Sequence, residues 1–174
     1  MIFNPKSFGA KADGSHDDTN AIQQAIDKAF FSGGGRIVLK NGVFLSGTIY
    51  LKSNISLEID ASACLLASPD INSYGSDTHH NRYRNEPELD RCFIFAENAD
   101  NIELCGNGII NGNAEFFPNS NNIYRPMMIR FLNCRNIRLH DLRLYNSAAW
   151  TTAFLDSERI FISNIDIKNS KNYN

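Results

Sequence analysis

The amino-acid sequence predicts an all-β solenoid, a parallel β-helix whose first coil is closed by an N-terminal α-helix. Three observations carry this. One amphipathic helical stretch stands near the start, β-branched runs replace it from Arg36 onward, and the same apolar and asparagine columns return in successive copies.

The helix comes first, over about residues 17–32. In "DDTNAIQQAIDKAFFSGGG", Asp17 or Asp18 is placed to cap the N-terminus, and Ala21, Ile22, Ala25, Ile26, Ala29 and Phe30 share one face. Gly33 to Gly35 end it. The coils begin at about residue 36, where "RIVLKNGVFLSGTIYLKSNISLEID" is rich in β-branched residues and broken by Asn-Gly and Ser-Gly.

Repeats follow. Aligning "NIEL" at Asn101, "NIRL" at Asn136 and "RIFI" at Arg159 puts Ile102, Ile137 and Ile160 in one column and Leu104, Leu139 and Ile162 in another. Further columns read Ile109, Leu144, Ile167, then Asn111, Asn146, Asn169, and upstream Ala96, Phe131, Phe154. The copies start 35 and then 23 residues apart, a period in the low twenties with one excursion near "NAEFFPNSNNIY". "NISLEI" at Asn54 is a weaker fourth copy. The 47 residues from there to Asn101 read as two turns, with "CFIFAEN" supplying the strand between.

Short strands with alternating apolar positions at such a period indicate a parallel β-helix. A β-sandwich also spaces its strands evenly, but it does not require the same side chain at one offset in each copy. The asparagine column is expected to form an internal ladder at a turn, its amides hydrogen-bonding between coils. Solenoid ends need covers. The helix is placed to cap the first coil, and no matching cap follows Asn174. Residues 1–174 are therefore expected to be the N-terminal portion of a single, longer β-helix domain.

Composition bounds the partners. At 174 residues with 43% hydrophobic and 21% charged residues, the chain suits one globular domain. A net charge of −2 supplies no basic footprint for nucleic acid, and no apolar run is long enough to span a bilayer. "MIFNPKSFGA" lacks the layout of a secretory signal, leaving an intracellular protein or one whose leader has been removed. Cys64, Cys92, Cys105 and Cys134 show no CxxC pair and no metal-ligand spacing with histidine, so they read as small buried hydrophobes. A disulfide stays open as an alternative. No metal or cofactor is expected.

The opening "FGAKADGSHDDTNAIQQAIDKA" resembles the first segment of the pectin-lyase-like right-handed β-helix enzymes. "GGGRIVLKNGVFLSGTIYLKSNISLEID" and "GNGIINGNAEFF" are similar to glycoside hydrolase family 28, the polygalacturonases and their relatives, although that family usually has aspartate at the place of Asn111. "RPMMIRFLNCRNIRLHDLRLYNSAAWTTAFLDSERIFISNIDIKNS" resembles the stretch just before the family's active site, and Asn174 stands where its asparagine–threonine–aspartate motif begins. The resemblance implies inverting hydrolysis of galacturonate-containing plant cell-wall polysaccharide by paired carboxylates. It also implies that the catalytic aspartates lie downstream of Asn174, so that this chain alone is inactive. A polysaccharide lyase on the same fold, and a non-catalytic carbohydrate-binding or tailspike-like β-helix, are the alternatives.

Within the chain four residues are candidates for substrate contact. Trp150 would lie one coil from the motif's aspartate, where its ring either stacks on sugar or fills the core column of Cys92 and Met127. Arg130, between inward Ile129 and Phe131, should face outward, to pair with a uronate carboxylate or stand as an exposed ladder charge. His80 and Arg82 lie in "SYGSDTHHNRYRNEPELD", either a cationic cleft wall or a solvated loop. Asp141, Asp156 and Asp166 share no column and read as turn or ladder groups, with Asp166 above Arg143. A repeat ending on bare apolar positions is also open to end-to-end self-association.

Overall fold

A computed structural model of the chain describes residues 1–78, 90–117 and 124–171. The chain runs through β1 (Ile2–Phe3), β2 (Asp13–Asp17) and α1 (Thr19–Phe31), then β3 (Gly35–Leu39), β4 (Gly42–Ser46) and β5 (Ile49–Tyr50). β6 (Ile55–Ile59), β7 (Ala63–Ala67), β8 (Cys92–Glu97), β9 (Asp100–Cys105) and β10 (Ile109–Asn111) follow. β11 (Met127–Leu132), β12 (Arg135–Tyr145), β13 (Thr152–Leu155) and β14 (Glu158–Lys168) complete the described strands.

Every strand pairing among the described residues is parallel. The pairings make three stacks. The first holds β1, β3, β6, β9 and the leading halves of β12 and β14. The second holds β2, β4, β7, β10 and the trailing halves of the same two strands. The third holds β5, β8, β11 and β13. Each full coil thus visits the third, first and second stacks in turn, the arrangement of a parallel β-helix.

The corners are made by residues with positive φ. Asn98 and Asn133 turn the chain from the third stack to the first, Asn101 and Asn136 open the first-stack strands, and Asp141 and Asn164 bend β12 and β14 between stacks. Asparagine and aspartate tolerate this left-handed backbone better than most residues, which explains their recurrence. Their amides do stack: Asn101 Nδ2 donates to Asn54 Oδ1 at 2.8 Å and Asn136 Nδ2 to Asn101 Oδ1 at 3.1 Å. Asn146 Nδ2 likewise donates to Asn111 Oδ1 at 3.1 Å. The Asn111–Asn146 bond lies in the column expected to form the ladder, with both residues half-buried, while the Asn54–Asn101–Asn136 ladder is a second one at the coil's edge, where Asn54 and Asn101 are exposed.

The inward columns hold at Ile102, Ile137 and Ile160, at Leu104, Leu139 and Ile162, and at Ala96, Phe131 and Phe154. One column needs correction. Ile110, not Ile109, pairs with Leu144, because the corner after Cys105 is one residue longer than its successor. Gly106 serves that corner at φ 116°, where a Cβ would meet the Ile59 carbonyl oxygen of the coil below at 2.6 Å. The 47-residue gap is also corrected. Ser56 pairs directly with Glu103, so the gap is one coil with a long excursion, and "CFIFAEN" is that coil's third-stack strand.

Helix α1 buries Ala21, Ile22, Ala25, Ile26 and Ala29 in the main core. Phe30, expected on that face, is 39% exposed beneath the Lys52 ammonium. Asp18 stands at the N-cap but makes no capping bond; its carboxylate accepts from Lys11 N and Ala12 N instead. Asp17 Oδ1 accepts from Thr19 N at 2.8 Å. All four cysteines are free thiols, three buried and Cys64 half-buried, and burial pushes the Cys92 thiol up to about 12. In β14, Phe161, Ile162 and Ile167 are exposed while Ile160 and Ile165 pack on the core.

Candidate functional site

The two long excursions of the chain leave the solenoid at one place. After β7 and after β10 the chain departs from the second stack and returns at the start of a third-stack strand, β8 or β11. Of the described excursion residues, Asp77 and Thr78 reach the outer face of the third stack, at Tyr50 and Arg130.

That face begins as a column of Tyr50, Phe95, Arg130 and Ala153, in register on β5, β8, β11 and β13. Tyr50 and Phe95 meet edge to face with centroids 6.1 Å apart. The Tyr50 hydroxyl donates to Asp77 Oδ1 at 2.6 Å, and burial together with that carboxylate pushes the phenol up. A second apolar cluster of Cys92, Phe95, Met127, Ala149 and Ala153 underlies the face, distinct from the main core.

Arg130 points outward, as its place between Ile129 and Phe131 requires, but it is not an exposed charge. It is 5% exposed, its Nη1 donates to the Thr78 carbonyl oxygen at 2.9 Å, and its Nη2 lies against the Met127 sulfur. The segment reaching Thr78 covers it, a tertiary contact that alternation along one strand cannot reveal.

Trp150 lies one coil beyond Met127, and its carbonyl accepts from Met128 N at 3.0 Å. Its column mates Cys92 and Met127 are fully buried, yet Trp150 is 42% exposed. Ile162, in an inward column of the same last coil, is 52% exposed as well, so the exposure of Trp150 follows from its place on the outermost described coil and is compatible with both alternatives. Tyr124, 41% exposed, carries the Arg91 guanidinium 5.2 Å from its ring centroid, and Arg125 Nη1 donates to the Ala148 carbonyl at 3.2 Å. Arg91 Nη1 also pairs with Asp90 Oδ2 at 2.7 Å. Sequence reasoning missed Arg91, Tyr124 and Arg125 because they flank excursions, where no period marks them. The return of both excursions to one stack is the signal that finds them. His80, Arg82 and Asn174 lie outside the described residues.

The acids are engaged elsewhere. Asp166 pairs in register with Arg143, as the sequence indicates, while its carboxylate accepts from Lys168 and Tyr145, which hold it below the ordinary range. Asp141 is held low by the Asn164 amide and His140. Among the described third-stack strands Glu97 is the one acid, and it stands in register with Leu132. These strands thus carry no facing pair of carboxylates, and the exposed rings near them, Tyr124 and Trp150, flank the strands rather than belong to them.

Comparison with known proteins agrees with this architecture. The chain is 28% identical to a probable polygalacturonase from Vitis vinifera over 92% of its length, and 29% identical to polygalacturonase-2 from Solanum lycopersicum over 97%. It spans only 35% and 37% of those two relatives. Among solved structures, the exopolygalacturonase of Thermotoga maritima superposes on 98% of this chain and 48% of its own, with a TM-score of 0.83 and 25% identity. The family 28 exopolygalacturonase of Yersinia enterocolitica superposes with a TM-score of 0.84 at 22% identity, covering 98% of this chain and 39% of its own, a likeness of fold. The sequence profile described as rhamnogalacturonase A/epimerase, pectate lyase-like, matches residues 2–172, and the chain belongs to that family.

Proposed function

We propose that this chain supplies the N-terminal coils of a polygalacturonase-like glycoside hydrolase acting on galacturonate-containing pectin, and that alone it is inactive. The observation that carries this reading is the similarity to two polygalacturonases along nearly its whole length. Matches to an alginate lyase and a mannuronan C5-epimerase of Azotobacter vinelandii are confined to 63 residues, which favours the hydrolase over the lyase.

Inverting hydrolysis needs an acid on the leaving oxygen and a carboxylate activating water, roughly 6.5–9.5 Å apart. Adjacent coils about 4.8 Å apart can bracket such a bond. In our reading the paired aspartates stand on coils beyond Asn174, in line with the third stack, and Trp150 is the aromatic floor next to them. A sugar's C–H face is apolar, so an exposed indole suits it. Arg130 fixes the excursion beside that floor, and His80 and Arg82 add to the cationic wall that an acidic polymer would meet. The solenoid is right-handed and α1 caps its first coil. The bare face of β14, with Phe161, Ile162 and Ile167 exposed, is the place for a further coil or for end-to-end pairing of two chains.

Reducing-sugar release from polygalacturonate tests the proposal. The 174-residue chain should match a buffer blank and the full-length protein should exceed it. Release by the short chain, or unsaturated products in place of reducing ends from the long one, would overturn the hydrolase assignment.

A further inference from the structure

The outer face of the first stack holds a cluster unconnected with the third-stack face. Leu104 and Leu139 are register partners, so the residues after them, Cys105 and His140, become cross-strand neighbours. On the neighbouring positions Ser56 pairs with Glu103 and Glu58 with Cys105. Stacking coils thus gathers a carboxylate, a thiol and an imidazole from two strands.

We propose that Glu103, Cys105 and His140 bind a divalent transition metal, zinc by the chemistry of the donor set. One ligand atom from each lies within 4.8 Å of the other two. His140 Nε2 stands 3.2 Å from Glu103 Oε1, a separation that tetrahedral ligands about 2.0–2.3 Å from zinc would show. Cys105 is 5% exposed, with its sulfur 3.9 Å from Ser56 Oγ. Nitrogen, sulfur and oxygen donors together suit zinc far better than magnesium or calcium, which take oxygen alone.

The supporting groups fit this role. His140 Nδ1 meets Asp141 Oδ2 at 2.8 Å, and Asp141 Oδ1 is itself fixed by Asn164 Nδ2 at 2.6 Å. A carboxylate on Nδ1 sets the imidazole with Nε2 facing the metal, the arrangement common behind ligating histidines. Ser56 Oγ donates to Glu103 Oε2 at 2.5 Å, leaving Oε1 as the ligating oxygen. Arg36 Nη1 holds Glu58 at 3.0 Å. Of the three ligands Glu103 lines an adjoining groove of about 660 Å³, together with Ser56, Arg138 and Phe161, and water would complete the fourth position. Binding displaces the thiol proton of Cys105 and the proton between Nε2 and Oε1, both to solvent.

The test uses the tag-free chain, stripped with a chelator and titrated separately with zinc and cobalt chloride. One equivalent of zinc should bind and raise Tm, and cobalt should give a thiolate-to-metal charge-transfer band. Cys105→Ser should remove that band, and His140→Gln should weaken zinc binding about tenfold or more. Asp141→Asn, a positioning change, should weaken it less, while Cys64→Ala and Cys134→Ala leave it unchanged. Should Cys105→Ser fail to fold, His140→Gln and Glu103→Gln carry the test through the lost zinc-dependent rise in Tm. A cobalt–thiolate band that survives Cys105→Ser, or zinc binding unaffected by His140→Gln, overturns the site.

Discussion

The Asn136 side-chain amide donates to the Asn101 side-chain Oδ1 one coil below at 3.1 Å, and both residues hold a left-handed backbone, φ 54° and 58°. Two demands meet in each asparagine: a conformation most residues resist and an amide that bonds to its neighbours. They can be separated. Asn101→Ala should lose both, the backbone preference costing about 1–2 kcal/mol and the two ladder bonds about 1 kcal/mol each. Asn101→Gly should recover the backbone part alone. Urea unfolding of the two variants checks this, and equal midpoints would mean that the ladder, not the corner, sets the residue.

The inward columns were legible because a side chain that faces the core on every coil must stay apolar, as Ile102, Ile137 and Ile160 do. Legibility failed where the chain leaves the repeat. The coil from Asn54 to Asn101 looked like two because its excursion hides the period, and Ile109 was misplaced by one extra corner residue. At the candidate site the position of Trp150 was readable but its exposure was not. Nor could spacing alone show that Thr78 covers Arg130. The neighbourhood of Cys105 and His140 was readable in principle, one step past the paired leucines, but only once register replaced spacing as the guide.

Under the proposed stacking role, removal of Trp150, 42% exposed, should affect binding more than folding. In the full-length protein Trp150→Ala should lower kcat/KM by about 1–2 kcal/mol, roughly five- to thirtyfold. Unfolding of the 174-residue chain should change by less than about 0.5 kcal/mol. A large loss of stability with unaltered kcat/KM would remove the ring from the cleft floor.

Arg130 should behave in the opposite way. Its guanidinium is buried and bonded to the Thr78 carbonyl, so Arg130→Ala leaves a buried acceptor without that donor and a space beside Met127. A cost of about 1–3 kcal/mol is expected, measurable in the short chain without substrate. Limited proteolysis near Thr78 should quicken in parallel. Unchanged stability and proteolysis would show that the excursion is held by other contacts.

The acid limb of stability should carry the signature of Asp27. Burial alone would raise its carboxyl, but the Lys52 ammonium at 2.7 Å and the Gln23 amide at 2.9 Å hold it below the ordinary value. Asp60, held low by Ser62, and Asp166, held low by Lys168, act in the same direction. A carboxyl lowered on folding means that the unfolded chain binds more protons. Its stabilisation is therefore complete above the unfolded value of about 3.9 and fades as pH falls through the lower folded value. Protonated Asp27 and asparagine are nearly isosteric and equally uncharged. Asp27→Asn should accordingly be less stable than the parent near neutrality, and the difference should shrink below about pH 4. Denaturant midpoints across the pH range check this. A difference that stays constant into acid would mean that the Asp27–Lys52 pair contributes no charge-dependent stability and that α1 is held by its apolar face and its neutral hydrogen bonds, such as those of Gln23 with Tyr50.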